Sequence, residues 1–142
     1  MLNKKVYFDA NIVLNIIDSN RKEHLTAKRM WKNLILEKCI IIISEDILTN
    51  VFYISKNKTE ALNFFKFIQY KWQIVPFGKD VIKNSIDLAL EKKLDLEDTL
   101  QCLCAKENGC EILITNDKKF YNCGISICTI EEFLKEKIDV QK

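Results

Sequence analysis

Short β-branched runs alternate with stretches of helical hydrophobic period along this chain, and no other feature restricts its fold as much. Val6-Tyr7-Phe8, Cys39 to Ser44, Ile74-Val75-Pro76, Ile112 to Thr115 and Ser126 to Cys128 read as short strands. The second is a nearly continuous apolar run, the pattern of a strand covered on both faces. Between the strands apolar residues recur at helical spacing, as in Leu25, Met30, Trp31, Leu34 and Ile35, or Ala61, Leu62, Phe64, Phe65 and Ile68. Strand–helix–strand alternation with right-handed crossovers gives a parallel sheet with helices on both faces. The expected fold class is α/β: a single three-layer α/β/α domain over residues 1–142, with a central, mostly parallel sheet of about five strands.

Helix ends are marked locally. Asn57 with Glu60, and Thr129 with Glu132, have the spacing of capping boxes. Asp95 is an N-cap for the helix that Asn108-Gly109 terminates. The chain has only three glycines and one proline, which excludes the glycine-rich phosphate loops of nucleotide-binding folds. Pro76 sits where an edge strand tolerates it. No apolar run approaches the ~20 residues of a membrane span, and the early first strand leaves no room for a signal peptide. A cytoplasmic location is expected. The six cysteines show no Cys-x-x-Cys pair and lie far from His24, the single histidine. Zinc spacing is absent, so the cysteines read as small buried hydrophobes of a reducing compartment. The net charge of +2 says little about partners. Basic residues nevertheless cluster at Arg21, Lys22, Lys28, Arg29 and Lys32, at Lys56 and Lys58, and at Lys118 and Lys119. The aromatics Phe52, Tyr53, Phe64, Phe65 and Phe67 read as core, with Tyr53 and Trp72 partly exposed.

Three aspartates stand where strands give out or a helix begins. Asp9 closes Val6-Tyr7-Phe8, Asp98 lies in the first turn of an apolar helix, and Asp117 follows Ile112 to Thr115. Ligands of open parallel sheets bind beside the carboxyl ends of the strands, so these acids can meet. Two carboxylates ~5 Å apart repel by roughly 3 kcal/mol at an effective dielectric of 20. Three in one cleft therefore call for a hard divalent cation or a retained proton.

The segments Phe8-Asp9-Ala10-Asn11, Asp98-Thr99-Leu100-Gln101 and Thr115-Asn116-Asp117-Lys118-Lys119-Phe120 occur in the order of the PIN-domain family, which this chain resembles from about Lys4 to Phe133. That family consists of nuclease-type domains and includes the VapC-like toxins of bacterial toxin–antitoxin pairs. The resemblance implies a metal-dependent ribonuclease acting on RNA phosphodiester bonds. Asp9, Asp98 and Asp117 would be both the catalytic and the metal-binding acids, with Mg²⁺ or Mn²⁺ as cofactor. Asn11 and Thr115 would be supporting polar groups and Phe120 a packing residue. Lys118 and Lys119 would steer the nucleic-acid backbone. An antitoxin protein and a second copy of the chain would be the partners.

One position departs from the family pattern. After Ser44 the family usually places a glutamate in the next helix, and here Asn50 stands there. A branch that resembles this chain carries the same replacement with a Glu-Asp pair at the third site, matching Glu97-Asp98. Asn50 offers a carbonyl oxygen but no charge, and Glu97 or Glu45 is the candidate substitute. The alternative is a PIN-like domain that binds RNA or a protein without cutting.

Overall fold

The computed structural model describes residues 3–141, with side chains to residue 136; Met1, Leu2 and Lys142 of the expected domain lie outside the described residues. The first half runs β1 (Lys5–Phe8), α1 (Ala10–Ile17), α2 (His24–Leu36), β2 (Ile40–Ser44), α3 (Glu45–Ile54) and α4 (Lys58–Ile68). The second half runs β3 (Gln73–Val75), α5 (Gly78–Lys92), α6 (Leu96–Glu107), β4 (Ile112–Ile114), β5 (Ser126–Cys128) and α7 (Ile130–Gln141). The five strands form one parallel sheet in the order β3-β2-β1-β4-β5. This is the expected α/β/α arrangement, with every pairing parallel.

The central strands are buried because both faces are covered. Val6, Tyr7 and Phe8 of β1, Ile42 and Ile43 of β2, and Leu113 and Ile114 of β4 have no exposed surface. The register aligns Phe8 with Ile114, so β1 and β4 end side by side. Strand order reverses between these two strands, and the crevice beyond their carboxyl ends is the switch point where open parallel sheets bind ligands.

Some sequence expectations are corrected. Trp72 is buried, edge-on to Phe8, Trp31 and Phe64 at 5.4–5.9 Å between ring centroids. Phe67, by contrast, is exposed. Helical period selected the right face of α2 at Met30 and Leu34, while Leu25 and Ile35 turn outward. Cys102 and Cys123 form a disulfide, which the reading of all six cysteines as isolated hydrophobes missed. Their separation of 21 residues leaves no local sign: the loop after β4 folds back onto α6 to bring them together. Lys58 is committed to three carbonyls at the end of α3, those of Phe52, Tyr53 and Ser55 at 2.6–2.9 Å, where a cation complements the helix dipole.

Candidate active site

Asp9 leaves β1 and becomes the N-cap of α1, so its two oxygens have different duties. Oδ1 accepts the Ile12 N–H at 3.0 Å, and Oδ2 accepts the Thr115 hydroxyl. Thr115, at the end of β4, is buried, and its Oγ1 also accepts the Asp117 N–H at 3.1 Å. One threonine thus ties together the acids that follow β1 and β4. Asp117 in turn accepts the Lys119 N–H at 2.9 Å, closing the turn that presents it. Asp98 is the third residue of α6, and its N–H is held at 3.0 Å by the side chain of the N-cap Asp95.

All three aspartates line one cavity of about 250 Å³ together with Asn11, Asn50, Glu97, Gln101, Ile54 and Phe120. The electrostatics follow from that crowding. Asp98 is pushed up to about 6, first by burial and then by the charges of Asp95, Asp117, Glu97 and Asp9. Burial also raises Asp9, opposed by the hydrogen bonds from Thr115 and Ile12 and reinforced by Asp117. Glu97 is raised by burial, then by Asp46 and Asp95. No basic side chain offsets these charges: among the described residues the ion pair within 4.0 Å is Lys83–Asp87, on the outer face of α5. An all-oxygen, mutually repelling donor set is the chemistry of a hard divalent cation. Among the described residues no three acidic, cysteine or histidine side chains are grouped as a ready-made metal shell.

The Asn50 position is explained by its neighbours. Both hydrogens of its amide are engaged, one on Asp46 Oδ2 at 3.1 Å and one on Glu97 Oε1 at 2.6 Å. Glu97 therefore joins the cavity wall through Asn50, whereas Glu45 is exposed and does not line it. Asp46 and Gln101 are participants that sequence reasoning did not single out. Gln101 Nε2 donates to Asp46 Oδ2 at 3.2 Å, and Gln101 Oε1 accepts from Ser44 Oγ at 3.0 Å and from the Tyr7 hydroxyl. The available signal was spacing: Gln101 is one helical turn beyond Asp98, and Asp46 one turn before Asn50.

Lys118 and Lys119 are exposed and line no part of the acid cavity. Lys118 borders a separate hollow with Asn116, Glu23 and Thr129, and Lys119 contributes its backbone N–H to Asp117. Arg21 is held beside the site: its Nε donates to Asn15 Oδ1 at 2.7 Å and its Nη2 donates to Asn11 Oδ1 at 3.3 Å. Arg21, Asn11 and Asp117 line one hollow, and Asn11 and Asp117 also line the acid cavity. The Cys102–Cys123 disulfide ties α6, which carries Asp98, to the loop that follows Asp117.

Comparison with known proteins bears on the family and the fold. The family model described as PIN domain matches residues 6–125. Ribonuclease VapC1 of Aquifex aeolicus (strain VF5) is 37% identical over 137 residues, covering 94% of this chain and 95% of that protein. Among solved structures, Mycobacterium tuberculosis VapC20, described as a sarcin-ricin loop cleaving toxin, superposes with a TM-score of 0.71 at 12% identity. It covers 84% of this chain and 95% of that one. A toxin–antitoxin complex from Klebsiella pneumoniae matches with a TM-score of 0.67 at 24% identity, covering 88% of this chain and 97% of that one. These two structural likenesses carry the fold.

Proposed function

The chain belongs to the PIN-domain family, and from that premise we propose that it is a divalent-metal-dependent endoribonuclease and the toxin of a toxin–antitoxin pair. The observation that carries this reading is the convergence of Asp9, Asp98 and Asp117, with Glu97, on one cavity at the β1/β4 switch point, with no ion pair to a cationic side chain among the described residues. Asp9, Asp98 and Asp117 would hold Mg²⁺ or Mn²⁺, with Glu97 supplying the charge that Asn50 lacks. When bound, such an ion supplies Lewis acidity at the phosphate and a lower pKa for its water.

The chain's own residues do the rest. Thr115 and the Ile12 N–H orient Asp9, and the Asp95 side chain orients the start of α6. Burial and then the charges of Asp95, Asp117, Glu97 and Asp9 raise the Asp98 carboxyl to about 6, and a bound cation would favour its charged form. Arg21, braced by Asn15 and Asn11, offers a planar donor to a backbone phosphate beside the acids. Lys118 and Lys119 stand outside the acid cavity and would meet the RNA backbone away from it.

Recruitment of Glu97 by Asn50 favours cutting over binding alone. The antitoxin partner is supported by the relatives named above, and exposed apolar side chains on α3 and α4, among them Tyr53, Ile54 and Phe67, give it and a second copy of the chain a surface to cover. A cytoplasmic location, with its RNA, is part of the same proposal and follows from the ribonuclease reading; separately, among the described residues no helix is long and apolar enough to cross a membrane.

The test is cleavage of RNA oligonucleotides with Mg²⁺ and with Mn²⁺. Asp9→Asn and Asp117→Asn proteins that keep the wild-type circular dichroism spectrum should lose cleavage. Retained cleavage in either, or none by wild type across a varied RNA set, removes the assignment.

A further inference from the structure

Gln101 is 3% exposed, yet it lines the acid cavity. Its orientation is fixed by residues of three other elements. Tyr7 on β1 and Ser44 at the end of β2 both donate to its Oε1, the latter at 3.0 Å. A flipped amide would set Oε1 against Asp46 Oδ2, acceptor against acceptor; as oriented, Nε2 donates to that oxygen at 3.2 Å. Three partners on three elements therefore fix which way the amide points. A primary amide carries two donor hydrogens, and Asp46 takes one.

Resting on the ribonuclease reading above, we infer that Gln101 is a substrate-positioning residue whose second amide hydrogen donates to a non-bridging phosphate oxygen of the bound RNA. The chemistry favours such a group at this place. An anionic phosphate entering among carboxylates meets repulsion, and a lysine or arginine there would pair with the acids and compete with the cation. A neutral amide donor does neither. Fixing its direction before substrate arrives avoids reorganisation when the phosphate binds.

The probes are Mn²⁺ alone and a cleavable RNA oligonucleotide. In Gln101→Met, which keeps length and removes the donor, KM for RNA should rise about tenfold or more. Mn²⁺ affinity measured by calorimetry without RNA should stay within about twofold of wild type. A merely structural role would instead lower Mn²⁺ affinity and the thermal midpoint together. Gln101→Glu keeps the acceptor for Tyr7 and Ser44, loses the donor and adds a charge, so its KM should rise at least as far, even if the methionine variant folds poorly. Wild-type KM in either folded variant overturns the inference while leaving the ribonuclease reading intact. A wild-type protein that cuts no RNA overturns both.

Discussion

At the residue scale the decisive quantity is the charge on Asp98. Its carboxyl titrates at about 6, held up first by burial and then by Asp95, Asp117, Glu97 and Asp9. In the unfolded chain the same group titrates near 4. Between those values the folded protein binds the proton more tightly. The stability this contributes is full below about 4 and is lost as pH rises through about 6 when no cation is present. A bound cation reverses the preference, because it expels the proton and favours the charged form. Mn²⁺ affinity measured by calorimetry should therefore fall about tenfold per pH unit below 6 and level off above it. Asp98→Asn should flatten that slope. Equal affinity at pH 5 and pH 7 in wild type would remove Asp98 from the ligand set.

At the element scale, helix starts aim most of the cavity. Asp9 caps α1, Ser44 caps α3 and Asp95 caps α6, each through a hydrogen bond to a first-turn N–H. The Asp95 cap and the strand ends that carry Asp9 and Asp117 were legible in the sequence because a cap and a strand end are decided within a few residues. Asp9 follows β1, Asp98 lies in the first turn of α6 and Asp117 follows β4, which are positions that local pattern gives; their role as ligands is the proposal above. The Asp46–Gln101–Ser44–Tyr7 chain was not legible, since it exists only after α3, α6, β1 and β2 have packed. Lys118 and Lys119 were placed near the acids by sequence adjacency, but the turn that aims Asp117 inward leaves their side chains outside the cavity. Asp95 allows a test with two separate readouts. Asp95→Ala removes the α6 cap and should cost about 1 kcal/mol in chemical denaturation. It also removes the first-named charge that raises Asp98, so the Asp98 pKa followed by carbon-13 NMR should move down. A loss of stability with an unmoved Asp98 would mean that the cap acts without electrostatic coupling to the cavity.

At the scale of the whole molecule, the acids come from distant parts of the chain and are brought together by sheet order. β1 and β4 are neighbours despite the long separation of Asp9 from Asp117, and the reversal of strand order between them opens the crevice. Sequence alternation foretold the layers, but not which strands would be neighbours, nor that a covalent link would close the same region. The Cys102–Cys123 disulfide joins α6 to the loop after β4 and encloses the turn that carries Asp117. Closing a loop across a separation of 21 residues restricts the unfolded chain and should contribute roughly 3 kcal/mol on the chain-entropy model. A Cys102→Ala, Cys123→Ala double variant should therefore unfold at lower denaturant than oxidised wild type by that amount, and wild type treated with dithiothreitol should follow it. Because the bridge spans elements bearing two of the acids, Mn²⁺ affinity should fall along with stability in the double variant. Coincident unfolding curves for oxidised and reduced wild type would mean that these thiols are not joined in solution, and Asp98 and Asp117 would then be held together by packing alone.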